Sequence, residues 1–437
     1  MKRAIFSVFL AALSLIFAAC GASAPKTTSA KETAAAESKA ETAPEETKPS
    51  TPSLTVKEPL SKAEFESLPV ADASMTEEEL RRLVVDYYKM MATIRWVPSR
   101  GFEYEYSTAS TSDSSGNLSI KGGRIYAGMP YTKASAGLQD FLDFYDEKTG
   151  VLDVEEYKNT IAEKIGNNCA TSVFWAWARV TGSVDYTATS GMALVNGCLK
   201  VGDYVYDETR DYTDQSTKEI CEKNGEQKMY ACYALAKAGD GTVKYVPGGA
   251  HHARLLIENA YVVHNADGTI DGEQSYFLMA EQGSAQTATA DEKTGEKYSF
   301  ITQTENKYSF SQLFKEGSLP LTVPELAGTK KVQKAEASVD LEGAFSADAV
   351  SAAVLTANYP ISRVSIRFVG EDGEEALQKS VYSEAYQTKF TLALKRLSLT
   401  GASLRRSLTE GKEYTVEISV RLGNGETLPV YTAPYTA

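Results

Sequence analysis

The sequence predicts an α+β fold: N-terminal helices packed with an antiparallel sheet, followed by an all-β sandwich. Three observations predict it. Apolar residues recur at helical spacing in several stretches between Leu80 and Val180. A histidine pair, Gly248-Gly249-Ala250-His251-His252, opens an apolar strand pattern. From about Gly328 the period changes to two, with one polar face.

The first residues read as targeting, not fold. Lys2 and Arg3 precede an apolar stretch, Ile5 to Phe17, that is too short to span a bilayer. Phe17-Ala18-Ala19-Cys20-Gly21 resembles a bacterial lipobox. That resemblance implies a signal peptide over 1–19, a diacylglyceryl group on the Cys20 sulfur, and an extracytoplasmic protein lipid-anchored to the bacterial cell membrane. Residues 20–58 are rich in Thr, Ser, Ala, Pro, Lys and Glu and poor in large apolar side chains. Such a segment cannot bury enough surface to order itself and is expected to be a tether with a coil dimension of about 30–40 Å.

The rest has a globular composition, 43% hydrophobic and 10% aromatic, with a formal net charge of −13. An acidic chain without a basic stripe or a phosphate loop is a poor partner for nucleic acid. No CxxC or HxxxH spacing points to a metal, and no dinucleotide fingerprint points to a cofactor. Of the five cysteines, Cys20 is expected to be lipidated and Cys169 to stay a thiol, so at least one of Cys198, Cys221 and Cys232 is unpaired. Cys198–Cys221 is the expected disulfide, because the two flank the loop-rich 201–217 segment.

Thr76-Glu77-Glu78-Glu79 has the form of a capping box, and Leu80, Leu83, Val84, Tyr87, Tyr88 and Met91 follow at helical spacing. Gly128-Met129-Pro130-Tyr131 is a turn, either packed or presenting aromatics to a groove. Helical patterns are expected over 138–145 and 154–165. The next helix opens at Asn167-Asn168-Cys169-Ala170-Thr171-Ser172, with Cys169, Val173, Trp177 and Val180 on one buried stripe and Gly182 as its stop. Residues 217–238 are expected to be helical and 243–246 a strand. A strand over 253–263, turn chemistry over 265–272 and a returning strand over 275–282 complete a hairpin. In the last hundred residues Val364, Ile366 and Phe368 alternate with polar residues, as do Tyr414, Val416, Ile418, Val420 and Leu422. Asn424-Gly425 is a hairpin turn.

The chemistry gathers at Cys169. A helix N-terminus favours the thiolate, Asn168 is placed to cap it, and Asn167 is a candidate oxyanion donor. A histidine within reach would take the thiol proton. His264 stands at the far end of the strand and is excluded by distance. Alternation leaves two partners open: His251 shares a face with Leu255 and Ile257, His252 with Arg254 and Leu256. Glu281 and Gln282 lie where the returning strand meets the histidine end, on opposite faces, and Glu281 is the expected orienting acid.

The stretches from Asn167 to Val180 and from Gly248 to Gln282 resemble the CHAP family, cysteine, histidine-dependent amidohydrolases/peptidases related to NlpC-type and papain-like enzymes. The resemblance implies a papain-like core over 59–328, ahead of an immunoglobulin-like sandwich over 329–437. It implies Cys169 as nucleophile, His252 as base, Glu281 as orienting acid, and Gln282 near the family's asparagine. The implied activity is cleavage of peptide or amide bonds in cell-wall peptides, with no cofactor. Departures are also plain: His251 stands where the family has glycine, and Glu163 where papain-type enzymes carry an oxyanion glutamine. The alternative is an inactive surface lipoprotein of the same fold that binds peptide or glycan. A cell-surface ligand of the C-terminal domain is a further possible partner.

Overall fold

In the computed structural model the described residues are 55–107, 115–132, 136–154, 166–182, 185–186, 195–196, 199–200, 234–237, 252–268, 271–290, 297–316, 318–326, 328, 330–341, 343–383, 387–392, 399 and 401–437. Cys20, Cys198, Cys221, Cys232, His251 and the expected elements at 155–165, 217–233 and 243–246 lie outside them.

The first long helix, Glu77–Thr93, starts as its sequence dictates. The Thr76 hydroxyl accepts from the Glu79 amide, and the Glu79 carboxylate accepts from the Thr76 amide. Its buried face carries Leu80, Leu83, Val84, Tyr87, Tyr88 and Met91. The packed body takes in residues before 58, inside the segment expected to be tether. Val56 is buried with Val97, Ile125 and Ala127, and its amide donates to Thr149.

The helix Cys169–Trp177 departs from a simple amphipathic stripe: every one of its residues is buried. It packs against Glu77–Thr93, where Tyr88 Oη meets Ser172 Oγ at 3.2 Å, and against the sheet through a core shared with Ala253, Leu255 and Ala280. Its C-terminal end meets the β-rich C-terminal region. A Cβ on Gly423 would lie 2.9 Å from Ala178 Cβ, and one on Gly182 would lie 1.7 Å from the Asn358 carbonyl oxygen. Gly182 therefore answers to a close backbone approach, not only to a helix stop.

A nine-stranded sheet backs the helix. In spatial order its strands are Val151–Leu152, Arg95–Pro98, Ile125–Ala127, Lys297–Ser309, Tyr276–Ala290, His252–Leu256, Ala234–Lys237, Ser318–Thr322 and Leu199–Lys200. The pairs from Lys297–Ser309 onward are antiparallel, as expected; two pairs at the other end are parallel, so the sheet is mixed. The register Arg254↔Glu281, Leu255↔Ala280 and Leu256↔Met279 aligns the expected hairpin, and Gly268 sits in its turn at φ +82°. The His252 strand ends at Leu256, sooner than expected, and the returning strand runs on to Ala290. Ala234–Lys237 is a strand rather than the end of a helix. Ladder bonds to strands on both sides outweigh the helix propensity of Ala-Leu-Ala-Lys.

The C-terminal alternation becomes a three-stranded and a four-stranded antiparallel sheet around one core that includes Val364, Ile366, Phe368, Val416, Ile418 and Val420. Asn424-Gly425 forms the hairpin turn, with Gly425 at φ +100°. Core membership changes between Val332 and Ala335, a few residues after the expected boundary, yet residues 52–437 form one compact unit. Among the described residues no helix is long and apolar enough to cross a membrane.

A buried ion cluster joins this region to the helix Leu138–Leu142. Arg421 Nη2 donates to Asp140 Oδ1 and to Asp143 Oδ2, both at 2.7 Å, and Nη1 donates to Asp143 Oδ1 at 3.0 Å. Ser362 donates to Asp140 and Tyr382 to Asp143, while Arg363 pairs with Asp143 at 2.9 Å. Burial raises Asp140 above the usual carboxylate range despite Arg421. Arg421→Met would leave both carboxylates without their shared cation. It is expected to cost about 3–5 kcal/mol, measured by denaturant unfolding.

Candidate active site

Asn168 makes the cysteine helix start where it does. Its side-chain oxygen accepts from the amides of Ala170 and Thr171 at 3.1 and 3.0 Å, and its own amide donates to Thr171 Oγ1 at 2.8 Å. Cys169 is thereby the first helical residue, in the positive field of the N-terminus, and it is a thiol outside any disulfide.

The sulfur lies over the start of the His252 strand. It accepts hydrogen bonds from the His252 ring and from the backbone amide of Ala253, and Tyr131 Oη donates to it at 3.9 Å. Among the described residues His252 is the histidine beside the thiol, and His251 lies outside them. His252 reaches the thiol although its face alternates with the apolar one, because the helix tip stands at the strand's first residue rather than over its middle.

His252 Nε2 is hydrogen-bonded to Glu281 Oε2, which leaves Nδ1 for the sulfur. Glu281 is 6% exposed and fully engaged. Arg254 Nε donates to the same Oε2 at 3.0 Å, while Asn306 Nδ2, at 2.9 Å, and Tyr308 Oη donate to Oε1. The Arg254 guanidinium also lies 4.6 Å from the centre of the Tyr308 ring.

The electrostatics follow. Burial alone would raise the Glu281 carboxyl, but His252, Tyr308 and Arg254 hold it down at about 2. Burial alone would lower the His252 imidazolium, but Cys169 and Glu281 raise it to about 9. Burial would likewise raise the Cys169 thiol, and the His252 contact reverses that and lowers it. Both shifts favour a thiolate–imidazolium pair over a thiol beside a neutral imidazole.

The remaining expected residues support the walls. Gln282 points to the other sheet face, where its Nε2 donates to the carbonyls of Met129 and Pro130 at 2.9 and 3.1 Å. It anchors the 128–131 turn that carries Tyr131, and the turn is packed as in the first reading: Met129 is fully buried, and Tyr131, also buried, faces the thiol. Asn167 is not an oxyanion donor. Its Nδ2 is spent on the Ala136 carbonyl at 3.0 Å and the Met91 sulfur at 3.2 Å, and the residue is fully buried. Its backbone instead ties the turn to the helix through Thr132 and Pro130. Gly166 permits that closeness, since a Cβ there would lie 2.0 Å from the Pro130 carbonyl oxygen. His264 sits at the distant turn, within 3.2 Å of the Gly268 carbonyl.

Sequence reasoning missed Arg254, Asn306, Tyr308 and Tyr131. Arg254 was legible as the next residue on the His252 face. Asn306 and Tyr308 share one face of a strand by alternation, but only the register Met279↔Asn306 and Phe277↔Tyr308 brings them to Glu281. Among the described residues no group of three His, Cys, Asp or Glu side chains is placed to hold a metal ion.

No protein-family model and no curated protein matches this chain.

Thiolate absorbance, read as the difference between the protein and Cys169→Ser, is expected to be present already at pH 6–7 and to collapse in His252→Ala. A difference spectrum that rises only in the range of an ordinary thiol, near pH 8.5, would contradict the ion pair.

Proposed function

We propose that this protein is a cysteine hydrolase of papain-like plan that cleaves amide or peptide bonds in cell-wall peptides, working outside the cell on a lipid anchor at Cys20. The observation that carries the reading is the continuous chain from Cys169 through His252 to Glu281, built from a helix tip and two adjacent strands. The anchor, the tether and the choice of cell-wall peptides rest on the sequence resemblances and on the acidic composition.

In this mechanism the Cys169 thiolate attacks the substrate carbonyl carbon, and the carbonyl π electrons move to oxygen. The tetrahedral species collapses, the C–N bond breaks, and His252 gives its proton to the departing amine. Neutral His252 then takes a proton from water as its oxygen attacks the thioester. The C–S bond breaks, the acid is released, and the thiolate–imidazolium pair is restored. Glu281 keeps the ring aligned and its positive charge balanced without itself becoming protonated.

The pH profile follows from the signs of the shifts. The thiol is lowered, so the pair forms at lower pH than an ordinary thiol ionises; the imidazolium is raised, so the pair survives until pH rises through about 9. Hydrolysis should therefore rise early, stay level across neutrality and fall on an alkaline limb near 9.

A binding-only reading is favoured by one fact, the 5% exposure of Cys169. The deciding experiment compares the protein with Cys169→Ala on purified muropeptides by mass spectrometry. Cleavage that drops at least about a thousandfold in the variant is the expected result. Identical product profiles with retained muropeptide binding would leave the binding-only protein as the answer.

A further inference from the structure

We propose that Arg254 is a positioning residue of this site: by sharing Glu281 Oε2 with His252, it fixes the carboxylate plane and divides its charge between two cations. The inference rests on the reading of Cys169 as nucleophile, but its observables need no substrate.

The geometry is specific. His252 and Arg254 are two residues apart on one strand, so both face the same side of the sheet, and Arg254 stands directly across from Glu281 in the ladder. Arg254 is 8% exposed, and its Nε donates to Oε2 at 3.0 Å, the oxygen that also holds His252. The guanidinium stacks 4.6 Å above Tyr308, whose hydroxyl holds the opposite oxygen together with Asn306. A planar cation stacked on a ring and bonded through Nε has little freedom to rotate, and neither does the carboxylate it grips. Lysine could supply the charge but not this plane.

The consequence is a tuned imidazolium. The charged and titratable groups facing this cluster include His252 and Arg254 from one strand, Tyr308 from the strand beyond Glu281, Cys169 from the helix tip, Tyr131 from the turn and Tyr88 from the helix Glu77–Thr93. Lys237 is the register partner of His252 on its other side. Arg254 opposes the protonated form of His252, whereas Cys169 and Glu281 favour it. Without the arginine, Glu281 would act on His252 undivided, and the ring would hold its proton more tightly than a leaving amine requires. The same cation lowers Glu281, so the carboxylate would also be easier to protonate in acid.

The test is a histidine NMR titration of carbon-13-labelled full-length protein, with the His252 signal assigned by its loss in His252→Ala. Arg254→Gln is expected to move the His252 titration upward by about half a pH unit or more, and Arg254→Lys to leave it within about 0.2 units of wild type. Thermal melts of both variants report whether they fold. An unmoved titration in folded Arg254→Gln overturns the proposal and leaves Arg254 as packing alone. If Arg254→Gln does not fold, Arg254→Met, read by the same titration and melt, decides: an upward shift of about half a unit or more supports the proposal, and an unmoved titration overturns it. Failure of the hydrolase reading would show separately, as a wild-type Cys169 that reacts with iodoacetamide no faster than an ordinary thiol at pH 6–7.

Discussion

A carboxylate buried between strands must be matched by donors or it unfolds what surrounds it, and Glu281 sets that condition for the whole site. Its partners come from the two strands that flank its own: His252 and Arg254 from one side, Asn306 and Tyr308 from the other. The requirement pins the register of all three. Slipping the central strand by one residue would turn Glu281 onto the opposite face, where Ala253, Leu255 and Ala280 pack beneath the cysteine helix. The charge would then meet an apolar core. The same strand places Gln282 on that face, where an uncharged amide suffices to hold two turn carbonyls. Two adjacent polar residues thus do opposite jobs, one organising charge and the other organising backbone.

That division explains how far the chain could be read in advance. The Thr76 capping box, the Asn168 cap, the hairpin turn at Gly268 and the C-terminal alternation are local signals, written within a few residues, and each appears as expected. Cys169, His252 and Glu281 were reachable because they sit at element ends or across one hairpin. Asn306 and Tyr308 were not, because their meeting with Glu281 depends on a ladder containing two register shifts. Ala234–Lys237 failed for the complementary reason: its local propensity is helical, and only its neighbours in the sheet make it a strand. Asn167 was misread because a polar side chain beside a candidate nucleophile looks chemical until its structural bonds are visible.

Burial of the cysteine helix on all sides has a similar origin. An isolated helix of this composition, with Val173, Phe174, Trp175 and Trp177 spread around its circumference, has no face suited to water. One side is taken by Glu77–Thr93 and another by the sheet. The end carrying Trp175 and Ala178 needs a third partner, and the C-terminal region supplies it at Gly423, where only the absence of a side chain allows the approach.

The C-terminal sheets are therefore part of what holds Cys169 in place. Tyr382 belongs to the core of the N-terminal half although it comes from a C-terminal strand, and it packs 5.7 Å from Phe144. Arg421 lies between Asp140 and Asp143, next to the helix whose Leu138 amide and Gln139 side chain hold the Tyr87 hydroxyl. Tyr87 lies on the same helix as Tyr88, which touches Ser172, whose hydroxyl donates to the carbonyl of Cys169. Packed and hydrogen-bonded contacts thus run without a break from the buried arginine to the residue that carries the thiol. A surface module attached by a flexible linker would share none of these groups. Shared buried groups mean that the two halves of the body hold their geometry together, and that the precision of the Cys169–His252 contact draws on both.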